Sequence, residues 1–286
     1  MEEQQQFKSL DWFKYTKIIL GVILGWSFWF CLLIIALRWI NPPFSAFMLQ
    51  QNWEEMGQER YNLRETWVPD EQLPDYMKLA VIASEDQRFR QHWGLDLAAI
   101  DQALDEKERT GKIRGASTIT QQVAKNLFLS PAQTYLRKGI EAGITVLIEI
   151  FWTKDRILEV YLNIAEFGPA KYGIAKGADF YYGKAPNELT PKEAARMATV
   201  LPSPWRIEPK PASEYVVKRS DWILRNMQQL SGIRYLPKPK PKPDTTDTLQ
   251  QQPVFLDSLE LVTLQDSMEL YLDSILKDLE LENLDN

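Results

Sequence analysis

Residues Ile18 to Leu37 read IILGVILGWSFWFCLLIIAL, twenty positions without a charge. As a helix this run rises about 30 Å at roughly 1.5 Å per residue, the thickness of a hydrocarbon core. Trp12, Tyr15 and Trp39 sit near its ends, where interfacial aromatics belong. A cleaved signal peptide would have a shorter apolar run and a small-residue cleavage site. Arg38, Trp39, Ile40, Asn41 and Pro42 follow instead, so the expectation is an uncleaved anchor. Lys8, Lys14 and Lys17 precede the span and only Arg38 follows it closely. That bias puts the N-terminus in the cytoplasm and the remainder outside.

The chain has one Cys and one His, which excludes a disulfide framework and a Cys/His zinc site. Cys31 lies inside the span, so the exported part has no thiol, as suits an oxidising compartment. With 45% hydrophobic and 25% charged residues, a chain of 286 residues can bury a sizeable core. The net charge of -6 gives no basic field for nucleic acid. The acidity is local: beyond residue 253 nine acids stand against Lys277 alone, a net of -8, leaving the rest of the chain near neutral.

These features divide the chain into a cytoplasmic N-terminus (1–17), an anchor (18–38), a membrane-proximal segment (39–69), a main domain (70–235), a Pro/Lys linker (236–253) and an acidic amphipathic tail (254–286). Phe44, Phe47, Met48 and Leu49 form an apolar patch that reads equally as core or as a surface dipped in the interface. The main domain is patterned as helices. Thr118 with Gln121, Ser130 with Gln133, and Thr190 with Glu193 have capping-box spacing, and Pro131 and Pro191 fall at first-turn positions. Asp96 caps a helix running to about Arg109, with Gly111 as its stop, and Ala132 to Phe151 reads as one long helix. Glycine-bearing loops fall around Gly94 and Gly168–Gly173. In the linker, Leu236 to Pro243 reads LPKPKPKP, a polyproline-II spacer. In the tail, Met268, Leu272, Ile275 and Leu279 fall at helical spacing and need a partner surface to be buried.

Four segments carry candidate chemistry. Glu85 and Asp86 open the first, with Phe89, His92 and Gly94 behind them; a carboxylate at a helix end is commonly just solvated, and a lone His commonly structural. The second runs from Gly115 through Ser117, Thr118, Gln121, Gln122, Lys125 and Asn126. It joins a helix N-terminus, whose free N–H groups attract anions, to a polar stripe of amides and one Lys. In the third, Arg137 and Lys138 reach Glu141 at i+4 and i+3, which is a helix salt bridge or an acid set among phosphate-binding cations. The fourth, Ile157-Leu-Glu-Val-Tyr161-Leu-Asn163, reads mostly as scaffold.

Taken together and in this order, the four segments resemble the glycosyltransferase domain of peptidoglycan polymerases. That family shows E-D-x-x-F-x-x-H-x-G, G-x-S-T-I-T-Q-Q-x-x-K-N, R-K-x-x-E and I-L-E-x-Y-L-N, and the resemblance covers about residues 70–232. Only about fifty residues follow Gly232, so the chain is similar to the monofunctional biosynthetic transglycosylases. The resemblance implies a mainly α, lysozyme-like domain with a small membrane-proximal lobe, preceded by one transmembrane helix. It implies polymerisation of lipid II with a growing lipid-linked glycan as donor, and release of undecaprenyl pyrophosphate. Glu85 would be the general base, and Glu141 the second catalytic carboxylate, which would orient its neighbouring cations, help bind a divalent ion or donate a proton. Asp86, Phe89, His92, Ser117, Thr118, Gln121, Gln122, Lys125, Asn126, Arg137 and Lys138 would bind substrate. Mg2+ or Mn2+ would suit Glu141, since hard cations bridge phosphate and carboxylate oxygens; no organic cofactor is expected. The expected partners are lipid II, the glycan strand, the bacterial inner membrane and, through the tail, other cell-wall synthesis or division proteins. Three departures touch pyrophosphate grip and loop shape: Gln133 where an Arg is usual, Ala170 where the loop usually has Gly, and Lys176-Gly177-Ala178 where small residues are usual. A glycan-cleaving enzyme and a non-enzymatic anchored scaffold are the competing expectations.

Overall fold

The computed structural model describes residues 12–50, 62–111, 115, 117–132 and 134–236. The expectations for Lys8, Gln133, the spacer beyond Leu236 and the acidic tail lie outside the described residues. Among the described residues the fold is helical, and one isolated bridge, Glu166 with Tyr172, is its only β pairing.

The apolar span folds as α1, Trp12–Ala36, whose stretch Tyr15–Ala36 is long and apolar enough to cross a membrane. The chain then turns at Asn41-Pro42-Pro43 into a short α2, Ala46–Gln50. Met48 of the expected apolar patch is buried, whereas Phe44 and Leu49 are exposed, so the patch divides between core and surface. After α3, Leu63–Thr66, come α4, Asp75–Glu85, and α5, Leu97–Thr110. The site elements follow: α6, Ile119–Phe128, α7, Tyr135–Phe151, and α8, Lys154–Ile164. The domain closes with α9, Ile174–Tyr182, α10, Pro191–Thr199, and α11, Glu214–Ser231.

Local chemistry sets these boundaries. Thr118 and Thr190 make reciprocal capping boxes with Gln121 and Glu193, Asp96 accepts from the Ala99 N–H, and α5 stops at Gly111. One boundary differs from expectation. The long helix begins at Tyr135 rather than Ala132, because the hydroxyl of Thr134, not Ser130, accepts the Arg137 N–H, and Pro131 stays in the connection.

The centre of the domain is α8. Every residue from Ile157 to Ile164 is buried, the signature of a helix covered on all sides. Its main cover is α6, on which α7 packs in turn, with smaller contacts from α3 and α9; α4, α10 and α11 pack together as a three-helix layer. Trp152, just past α7, donates its indole N–H to the carbonyl of Ile34, and Arg38 donates to the carbonyl of Phe151. The end of the apolar helix is thereby fixed to the domain.

Candidate active site

The site forms where the C-terminal end of α4 meets the N-terminal end of α6. Glu85 is the last residue of α4 and Asp86 is its cap. The Asp86 carboxylate turns away from Glu85 and accepts the Ile119 N–H at 3.1 Å, one of the free donors at the start of α6. It also pairs with His92 Nε2 at 2.9 Å. Thr118 closes the same knot by donating its hydroxyl to the carbonyl of Gly94. Gly94 has φ 74°, and a Cβ there would lie 2.6 Å from the Thr145 methyl, so conformation and space both require glycine. The knot fixes the loop and sets α6 in register with Glu85.

One turn into α6, Gln122 donates its amide to Glu85 Oε2 at 3.0 Å, while the Ser84 hydroxyl lies 3.2 Å from Oε1. Burial pushes the Glu85 carboxyl above its ordinary range, opposed by those two hydrogen bonds and by the nearby Arg219 guanidinium. Glu85 nevertheless remains partly open to solvent. A carboxylate that is raised in basicity, held by an amide and reachable from solvent has the attributes of a general base.

The second carboxylate, Glu141, sits two turns into α7 and is only 2% exposed. Arg137 Nη1 meets its Oε2 at 2.6 Å and Lys138 Nζ meets its Oε1. Lys138 also reaches Ser117 Oγ at 3.4 Å, tying the cations to the start of α6. Lys125, on α6, has the ring of Phe47 6.0 Å from its Nζ. Burial lowers its ammonium below the ordinary lysine range; the charges of Glu141 and Glu85 oppose this, and those of Arg137 and Lys138 add to it. Lys125 therefore feels both carboxylates, and the base and the cation group share one neighbourhood.

The expected substrate-binding residues divide into two sets. Ser117, Gln122, Lys125, Asn126, Arg137 and Lys138 are exposed or partly exposed. Asp86, Phe89, His92, Thr118 and Gln121 are buried. Phe89 packs edge-on to His92 in the core, the Gln121 carbonyl accepts the Thr118 N–H, and Asp86 and His92 hold the loop. These five are buried and serve the framework that shapes the site.

The metal expectation at Glu141 also changes. Both of its oxygens are already engaged by cations, and the surrounding Arg137, Lys138 and Lys125 outnumber it in charge, so the residues present do not suit a divalent cation there. The group whose donor atoms lie close enough to hold an ion is Asp86, His92 and Asp96, within 4.8 Å of one another. Their carboxylates already serve Ile119, His92, Ala99 and Arg88. Two contributors, Ser84 and Arg219, were not singled out from the sequence; Tyr161, from the segment read mostly as scaffold, donates its hydroxyl to Gln122 Oε1 at 3.1 Å.

This site and helical domain are those of a glycosyltransferase. Residues 52–228 match the protein family described as Transglycosylase, and the chain belongs to that family, whose domain is lysozyme-like. Among curated relatives, the biosynthetic peptidoglycan transglycosylase of Pseudomonas entomophila is 48% identical over 204 residues, covering 71% of this chain and 86% of the relative. The protein of the same name from Pseudomonas putida strain W619 is 48% identical over 216 residues, covering 73% and 91%. That of Marinomonas sp. strain MWYL1 is 46% identical over 207 residues, covering 72% and 88%.

Proposed function

We propose that this chain polymerises peptidoglycan glycan strands from lipid II, with Glu85 as general base and Lys125, Arg137 and Lys138 as the pyrophosphate-binding group. The 4-hydroxyl of an incoming lipid II attacks the anomeric carbon of the lipid-linked growing chain. The new O–C bond forms as the bond to pyrophosphate breaks, the hydroxyl proton passes to Glu85, and undecaprenyl pyrophosphate departs. One displacement inverts the anomeric centre without a covalent intermediate. A pyrophosphate leaving group needs its charge neutralised more than it needs a proton, and Lys125 of α6 with Arg137 and Lys138 of α7 supply that. Glu141 holds two of those cations in place.

The observation that carries this reading is that α6 joins the two groups: its Gln122 holds Glu85, and Ser117 at its start meets Lys138 of the Glu141 cluster. It sets a base and a cluster of cations to work on one substrate, an arrangement that suits a pyrophosphate-bearing donor better than glycan cleavage. Incubation with purified lipid II tests it. Glycan polymer should appear together with undecaprenyl pyrophosphate; shortening of preformed glycan without polymer would favour a lytic enzyme.

The same proposal places the protein in the bacterial inner membrane with α1 as a single span, the N-terminus cytoplasmic and the catalytic domain outside. The Lys bias before the span supports that orientation. Placement at a membrane is supported by the outward face of α7, where Leu136, Ile140, Val146 and Ile150 are exposed and uncharged on the helix whose end is fixed to α1. The acidic tail is proposed to dock on another protein of the wall-building machinery.

A further inference from the structure

Tyr161 is fully buried, at 1% exposure, on the central helix α8, and packing alone would account for its ring. Packing does not account for its hydroxyl. That group donates to Gln122 Oε1 at 3.1 Å, and Gln122 Nε2 donates in turn to Glu85 Oε2 at 3.0 Å. The three side chains come from α8, α6 and α4, and the amide joins the other two.

The bridge has a fixed polarity. A Gln amide offers donors at one end and acceptors at the other. Turned over, its carbonyl oxygen would face the Glu85 carboxylate, acceptor against acceptor. Gln122 is partly exposed, and its long side chain has rotatable bonds that would let it swing out to water. The hydroxyl at its inner end is what prevents this. Burial, with the charge of Glu85 adding to it, keeps the proton on Tyr161, so the hydroxyl remains a donor.

We propose that Tyr161 is a positioning residue for the general base, acting through the Gln122 amide to hold the Glu85 carboxylate in its reactive orientation. The inference rests on Glu85 being the base. It is distinct from substrate binding, because Tyr161 has no surface from which to touch a substrate. An oriented base accelerates the chemical step and leaves ground-state binding alone.

The test is a double-mutant cycle on the full-length protein in detergent, with kcat and KM for lipid II measured separately. Tyr161→Phe removes one oxygen and keeps the ring. It should lower kcat about three- to tenfold, the worth of one neutral hydrogen bond, with KM unchanged. In a Gln122→Met background the same substitution should lower kcat no further, because the bridge is already gone. Val160→Ala, a truncation at a fully buried neighbour on α8, serves as the structural control: its melting temperature should fall while kcat holds. An unchanged kcat in Tyr161→Phe, or a full additional loss in the Gln122→Met background, overturns the inference. So does a loss in Val160→Ala equal to that in Tyr161→Phe. Should Tyr161→Phe fail to fold, Gln122→Met alone decides: reduced kcat at constant KM supports the bridge and unchanged kcat removes it. Glu85→Gln is run in parallel. Its retained activity would overturn the base assignment itself, whereas an inactive Glu85→Gln beside an unaffected Tyr161→Phe would overturn only the bridge.

Discussion

Replacing Glu141 by Gln removes one negative charge from a place where three positive ones converge. The side chain keeps its size, so the effect is electrostatic. Its carboxylate is nearly inaccessible and pairs with Arg137, itself mostly buried, and with Lys138, whose side chain is 47% exposed. Breaking a fully buried ion pair costs about 3–5 kcal/mol. Lys138 can turn to water and recover part of that, which brings the expected cost down to about 2–3 kcal/mol. For a domain of this size that corresponds to a melting temperature lower by about 4–12 °C. Lys125 feels the loss as well, since the Glu141 charge is what chiefly opposes the lowering of its ammonium by burial. The assay is thermal unfolding of wild type and Glu141→Gln, each with and without inorganic pyrophosphate. Pyrophosphate should raise the variant more than the wild type, because it replaces the missing counter-charge. A melting temperature within about 1 °C of wild type, or equal stabilisation of both by pyrophosphate, would refute the reasoning.

Other expectations follow from the same geometry. Lys125→Ala should weaken binding of a pyrophosphate-bearing donor about ten- to hundredfold as well as slowing turnover, because charge-assisted contacts exist in the ground state too; unchanged donor affinity in a binding titration would remove Lys125 from that role. The acid limb of kcat/KM should lie above pH 4.5, since burial raises the Glu85 carboxyl and a base works only when ionised; a limb at or below that value would contradict a buried base. Ala170 holds φ 55°, a conformation that costs a non-glycine residue roughly 1–2 kcal/mol. Ala170→Gly should therefore raise the melting temperature by about 1–4 °C after the entropy of the added glycine is subtracted, and a lower melting temperature would show that the loop is not strained there.

Much of this arrangement was legible in the sequence because it is local. The i+3 and i+4 spacing put Lys138 and Arg137 on Glu141, and the structure holds them there. The Thr118 and Thr190 boxes, the Asp96 cap and the Gly111 stop follow from neighbours within four residues. Ser130 misled because its spacing to Gln133 matched a cap, while Thr134, four residues on, holds the N–H that starts the helix. What the sequence could not show was decided by distant packing. Gln121 and Gln122 are neighbours of the same type, yet one closes a capping box and the other holds the base. Spacing marks Gln121 as the capping partner, but only the placement of α4 against α6 gives Gln122 the base. Tyr161 lies 39 residues from Gln122, and its segment, read mostly as scaffold, does not say what its hydroxyl meets. The strain at Ala170 is likewise a property of backbone angle, visible in sequence only as a departure from the usual loop.

The central claim is that Glu85 takes the proton from the attacking hydroxyl, and the most direct measurement is turnover of lipid II by Glu85→Gln. The amide is nearly isosteric and can still meet Gln122, but it cannot accept a proton. Polymerisation should fall by at least about a hundredfold while lipid II binding stays within a few-fold of wild type. More than about a tenth of wild-type turnover would contradict the account, because no loss on the scale of general-base catalysis would have occurred.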